Sequence, residues 1–219
     1  MAAHIFSDFS HIAREYYSGK TFVAFDTETT GLKSSEDFLI EIGAVKFNYR
    51  GTIGKEFKML INPPVKISPL ITEITNIKQE MLENCPGPEK AVKNFLTYIE
   101  GEKTILVAHN APFDVAFINA ELERINFPKL KNIAIDSLPF ARWTYPEFQK
   151  EEGKGHYKLQ ALASRFKIHV EAAHRAHDDA RVCKELFEKM IKDSMKRQKN
   201  PYEYQQANLF EENGQLNLF

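Results

Sequence analysis

The 219-residue chain is short of cysteine: Cys85 and Cys183 are the only two, far apart and without metal-ligand spacing. They offer neither a disulfide framework nor a zinc site, so a reducing cytoplasm is the expected compartment. Long apolar runs are also missing. No stretch is long enough to span a bilayer, and MAAHIFSDFSHIAREYY lacks the basic-then-apolar pattern of a signal peptide. No membrane partner is expected. There is no excess of either charge, with 29 Lys and Arg against 30 Asp and Glu. That balance argues against a protein that coats nucleic acid by bulk electrostatics, yet leaves room for an enzyme that grips one strand end locally. The sequence contains neither a GxxxxGK[ST] phosphate loop nor a GxSxG nucleophile turn.

What remains has an ordinary globular composition, 43% hydrophobic and 27% charged. Residues 1–19 read as a helical extension capped at Ser7 or Asp8. Five β-rich runs follow, at 21–26, 38–47, 53–61, 104–108 and 133–136. Helices are expected at 89–100, from Pro112 onward, at 159–166 and at 176–191. The segment 149–158 is polar and glycine-containing, so a loop. The order of elements predicts an α/β domain over 20–193, with a five-stranded mixed sheet flanked by helices. Residues 194–219 are rich in Gln, Asn, Glu and Lys and are expected to be a disordered tail.

Acidic residues gather where core elements end. Asp26 and Glu28, in FDTETTGL, sit two apart on a strand and therefore point to one face. They serve either a functional site or merely a polar strand end. Asp114, in AHNAPFD, heads the stripe Ile118, Leu122 and Ile125; buried there it would need donors or a cation. The competing role is capping at the positive end of a helix. In AAHRAHDDARVC the apolar stripe Cys183, Leu186, Phe187 and Met190 projects back onto Asp179, leaving Asp178 as a solvated first-turn charge. His174 lies five residues earlier, about 140° round a straight helix, so it must precede the helix to point where Asp179 points. His177 reads as a partly exposed helix residue. His109 is either a structural hydrogen-bonder or a substrate contact. Four carboxylates in one small volume require cations to ionise together, and oxygen ligands select Mg²⁺ or Mn²⁺.

The segments FDTETTGL, AHNAPFD and HRAHDD resemble, in order, the three motifs of the DEDDh (DnaQ-like) 3′→5′ exonucleases, the family of the proofreading epsilon subunits of bacterial DNA polymerase III. The likeness covers roughly 21–191, and FLIEIGAVKF, ITNIKQEML and HYKLQALASRFKI agree in style. It implies a ribonuclease H-like exonuclease fold. It also implies a metal tetrad of Asp26, Glu28, Asp114 and Asp179, two divalent ions and His174 as general base. Thr29, Thr30, Gly31 and Leu32 would meet the last nucleotide, with His109, Asn110 and Phe113 as further substrate contacts. The sequence departs from the family at 74–77, where many relatives carry a His-Gly pair, and at His177, where many are apolar.

The tail ends in Gln215, Leu216, Asn217, Leu218 and Phe219, and a looser copy with Gln206, Leu209 and Phe210 lies nine residues earlier. Both resemble the peptide that binds the bacterial sliding clamp. The expected substrate is a DNA 3′ end in proofreading or repair, with a separate polymerase catalytic subunit as a further partner. The competing reading is an RNA-trimming 3′→5′ exoribonuclease of the same superfamily.

Overall fold

The computed structural model describes residues 4–6 and 8–199. In chain order the elements are β1 (His4–Phe6), α1 (Ile12–Tyr17), β2 (Phe22–Thr29), β3 (Leu39–Asn48), β4 (Gly51–Thr52) and β5 (Phe57–Leu60). There follow α2 (Pro69–Thr75), α3 (Gln79–Leu82), α4 (Pro88–Ile99), β6 (Ile105–Ala108) and α5 (Ala111–Arg124). The chain continues with β7 (Ile133–Asp136), α6 (Ser137–Thr144), α7 (Leu159–Arg165) and α8 (Ala176–Lys199).

The sheet is mixed, as its sequence pattern implies, but among the described residues it has seven strands rather than five. Its order is β1-β7-β6-β2-β3-β4, with β5 also paired to β3. β2, β6, β7 and β1 run parallel, while β3 runs antiparallel to β2. The extra strands are short. β4 lies in the turn after β3, and β1 falls within the residues read as a helical extension. His4–Phe6 instead adds an edge strand beside Ile133–Ile135, and among the described residues of that region only Ile12–Tyr17 is α-helical. Three residues are too few for period-two alternation to be legible. At the far end α8 runs to Lys199, past the point where apolar periodicity stops.

Alternation on β2 divides the interior in two. Phe22 and Ala24 join Phe47, Val107, Ile135 and Phe187 on the face covered by α1, α6 and α8. Val23 and Phe25 join Ala44, Leu106, Phe95 and Ile118 on the face covered by α4 and α5. Asp26 and Glu28 continue the parity of Ala24, so they emerge on the α8 side just where the strand leaves the core.

Gly43 sets how closely α8 approaches. It pairs with Asp26 across the β2–β3 ladder, and a Cβ at Gly43 would overlap the backbone of Ala176 and His177. The first turn of α8 therefore rests directly on the main chain of β3, and Asp179 is carried to the side of Asp26. Among the described residues no helix is long and apolar enough to cross a membrane. Cys183 is buried and Cys85 half-buried, both as free thiols.

Candidate active site

Asp114 reaches the cluster from the opposite face of the sheet. Pro112 opens α5, Asp114 lies in its first turn, and its carboxylate is buried. Thr27 donates to Asp114 Oδ1 from its backbone N–H (3.0 Å) and its hydroxyl (2.7 Å). The residue between Asp26 and Glu28 thus ties the third acid to the strand that bears the first two. Asp179 is held from two further segments: Gln160 Nε2 donates to Oδ1 at 2.6 Å, and the His174 N–H donates to Oδ2 at 3.1 Å.

His174 lies ahead of α8, exposed, in the left-handed region at φ 60°. Few non-glycine residues sit there, and hydrogen bonds hold the turn. Asp178 Oδ2 accepts from the N–H groups of Glu171 and Ala172, both at 2.8 Å. Arg175, next to His174, pairs with the buried Glu41, whose Oε2 also accepts from the Ala176 N–H at 3.0 Å. Ligand atoms of Glu28, His174 and Asp179 fall within 4.8 Å of one another.

Burial raises the affinity of all four acids for protons, and at Asp26 and Glu28 the neighbouring acids raise it further. Asp26 is held well above the carboxylate range by burial, then by Asp114, Asp179, Glu28 and Glu41. Burial, with Asp179, Glu41 and Asp114, lifts Glu28 to about 8. Asp114 is lifted to about 7 by burial despite the two Thr27 donors. Asp179 reaches about 6, burial outweighing His174 and the Gln160 bond. A cluster of carboxyls that resists ionising fits a group that replaces their protons with positive charge. Its oxygen-rich donors suit a hard divalent cation.

The four acids and His174 named from the sequence therefore converge. Asp178 does not match its expectation as a solvated charge. It is 1% exposed and pairs with Arg181 at Oδ1. Burial opposes its ionisation, but bonds from Ala172, Arg181 and Glu171 outweigh it and hold its carboxyl below the usual range. Leu32 projects into solvent, 85% exposed, at the tip of the turn after β2. Thr29 and Thr30 brace that turn through Gly31 O and Asp37. Phe113 is half-buried against Phe117, with ring centroids 4.9 Å apart. The exposed Asn110 precedes α5, and its N–H donates to Asp136. His109 differs from a free substrate contact: Nε2 is 2.8 Å from the Tyr157 carbonyl and Nδ1 is 2.8 Å from the Ser137 hydroxyl. A carbonyl only accepts, so Nε2 carries the proton and both ring nitrogens are engaged internally. The tail residues Gln206, Leu209, Phe210, Gln215, Leu216, Leu218 and Phe219 lie outside the described residues.

Sequence reasoning passed over Thr27, Glu41, Gln160 and Arg175. Thr27 carried a signal, since it separates the two strand acids and must face α5. Glu41 is an acid in the otherwise apolar run FLIEIGAV, and a buried acid requires a partner.

Carboxylates and one histidine gathered at the carboxyl end of a central strand have the chemistry of a metal-assisted hydrolase. The exonuclease family RNase_T matches residues 23–187, and the chain belongs to that family. It is 48% identical over 170 residues to the DNA polymerase III subunit epsilon of Treponema pallidum (strain Nichols), covering 78% of this chain and 76% of that protein. It is 37% identical to the PolC-type DNA polymerase III of Caldanaerobacter subterraneus subsp. tengcongensis, again over 78% of this chain, but spans only 11% of that much longer relative. The solved structure of exonuclease X in complex with 5′-overhanging duplex DNA superposes with a TM-score of 0.61 at 25% identity, covering 78% of this chain and 91% of that one.

Proposed function

We propose that this exonuclease removes 5′-mononucleotides from DNA 3′ ends, using two divalent cations, Mg²⁺ or Mn²⁺, held by Asp26, Glu28, Asp114 and Asp179. The observation that carries this reading is the convergence of those four acids with His174, burial lifting the proton affinity of all four and Asp114 and Asp179 lifting that of Asp26 and Glu28 further. Bound divalent cations supply charge neutralisation at the attacking and leaving oxygens of a phosphodiester.

The chain's own residues supply the rest. His174 is exposed beside Glu28 and Asp179, where its ring takes the proton of a water attacking phosphorus. The bond from phosphorus to the 3′-oxygen of the preceding nucleotide breaks, and that oxygen leaves with a proton. Thr27 and Gln160 fix Asp114 and Asp179 so the acids need not reorganise during the step. Leu32 stands where it can wedge against the terminal base, and the Phe113 ring offers a stacking face.

Similarity to a polymerase subunit favours DNA over RNA and a role in proofreading or repair beside a separate polymerase catalytic subunit. The two Gln…Leu-Phe segments of the tail support tethering to a sliding clamp in the cytoplasm, and two linked copies would add avidity. The test is digestion of matched DNA and RNA oligonucleotides labelled at the 5′ end, with Mg²⁺ or Mn²⁺. A ladder shortening one nucleotide at a time, faster on DNA and abolished by a chelator, is expected. Faster trimming of RNA would assign the enzyme to RNA instead.

A further inference from the structure

Beside the acid cluster lies a cavity of about 640 Å³, lined by His109, Arg142, Lys154, His156, Lys158 and neighbouring backbone. It follows the carboxyl ends of β6 and β7, as the acids follow the carboxyl end of β2, so the two sites share one edge of the sheet. Their walls are also continuous. Asn110, on the cavity side, directly precedes the helix bearing Asp114. Lys158 and Leu159 directly precede Gln160, the donor to Asp179.

The lining is strongly one-signed. Among the described residues none of Arg142, Lys154 or Lys158 is ion-paired, and all three are exposed. No acid is among the lining residues, and Glu151, just outside them, pairs with Arg165 while its Oε2 lies 3.7 Å from His156 Nδ1. Arg142 lies over the Tyr157 ring, 5.8 Å from its centroid. His156 Nε2 is buried without a hydrogen-bond partner, a capacity that native structures seldom leave unused. Gly153 and Gly155 turn the loop at φ +103° and +83°, conformations that side-chain-bearing residues rarely adopt. In a chain of net charge −1, three unpaired cations around one concavity mark a local anion site.

We propose that this cavity is a second nucleotide subsite, holding phosphates of the cleaved strand upstream of the scissile bond. The inference rests on the exonuclease reading. A volume of this size is in the range of small-ligand sites and accommodates a nucleotide unit. The basic rim offers charge without base readout, which suits an enzyme that must accept any sequence.

The test uses the full-length enzyme and single-stranded DNA from a dinucleotide upward. A dinucleotide carries only the scissile phosphodiester and cannot fill the cavity. For wild type, KM should fall as length increases. The triple variant Arg142→Ala, Lys154→Ala, Lys158→Ala should lose that fall, with KM for long strands raised about tenfold or more and dinucleotide turnover unchanged. Its log KM against log salt slope should drop by about 2, at roughly 0.7 per single-strand phosphate contact. Lys154→Ala alone, on the exposed loop, should show a smaller shift in the same direction.

Wild-type length dependence in both variants would overturn the subsite. An equal loss on dinucleotide and long strand would overturn it too, by placing the residues in the catalytic centre. Weakening confined to a duplex with a recessed 3′ end would assign the cavity to the complementary strand. Relief of 5′-mononucleotide inhibition with length dependence intact would assign it to product. Either result overturns the proposal. Absence of DNA cleavage by wild type at every length would instead count against the exonuclease reading itself.

Discussion

Arg175 lays its guanidinium along the buried carboxylate of Glu41, with Nε 3.1 Å from Oε2 and Nη2 2.9 Å from Oε1. Glu41 stands opposite Glu28 in the β2–β3 ladder, and Arg175 follows His174 directly. The pair thus ties the histidine turn to the strand next to the acids. It also screens Glu28, since Arg175 works against the neighbours that raise its proton affinity.

Arg175→Met should therefore cost both fold and rate. Glu41 would be left buried with the Ala176 N–H and the His177 ring 3.8 Å away, destabilising the protein by about 3 kcal/mol, the lower end for breaking a buried pair because Arg175 is partly exposed. Loss of the anchor would displace His174, lowering kcat by about tenfold to a hundredfold with a smaller change in KM. Melting curves and steady-state kinetics check both arms, and Arg175→Lys should restore only part of either because it lacks the planar fork. A variant with wild-type kcat would remove the positioning role.

The adjacent acids Asp178 and Asp179 should respond differently to the same change. Asp179→Asn should leave an almost inactive enzyme that still folds, because it loses a carboxylate of the cluster. Asp178→Asn should retain measurable activity but melt earlier. Its carboxylate holds the N–H groups of Glu171 and Ala172 and the Arg181 guanidinium, and charged hydrogen bonds of this kind contribute about 1.5–3 kcal/mol each. Identical behaviour of the two variants in paired activity and melting measurements would contradict this division.

His174→Ala should reduce turnover by about 10²–10⁴-fold, the usual worth of a positioned base, while divalent-cation affinity measured by calorimetry changes little. Cation binding lost together with activity would make His174 a ligand rather than a base.

The positions of the acids were legible before the fold because each sits at a strand or helix end with a readable period. The parity of Asp26 and Glu28 and the stripe behind Asp179 are local facts. What supports them was not legible, since Thr27–Asp114, Glu41–Arg175 and Gln160–Asp179 join segments 87, 134 and 19 residues apart. Asp178 misled for the same reason. The stripe correctly turned it away from the apolar face, but the loop 171–172 covers it from the other side. β1 escaped because three edge residues carry no pattern of their own.

Gly43 is the clearest case of a residue whose importance is purely spatial. Gly43→Ala places a methyl group into the backbone of Ala176 and His177, and main chain cannot rotate aside as a side chain can. The helix must lift away from β3, which should destabilise the protein by about 3 kcal/mol, the upper part of the range for overpacking. Separating Asp179 from Asp26 should also weaken divalent-cation affinity. Calorimetric titration together with a melting curve tests this, and an alanine variant binding cation as tightly as wild type would show that the contact is not limiting.

The acid cluster also fixes the sign of a pH effect. Glu28, Asp114 and Asp179 have folded-state values of about 8, 7 and 6, against ordinary values of 4.5 for Glu and 3.8 for Asp. Between those limits the folded protein binds more protons than the unfolded chain. Their contribution is therefore full below the ordinary values and is lost as pH rises through the folded ones. The metal-free enzyme should melt at progressively lower temperature as pH is raised from about 5 to about 8. Added Mg²⁺ or Mn²⁺ should reverse the trend, stabilising more at the upper end because fewer protons must be displaced. In Glu28→Gln the metal-free dependence should flatten, since a carboxyl raised to about 8 is gone. Metal-free melting temperatures that climb over the same interval would show that groups outside the cluster dominate the linkage.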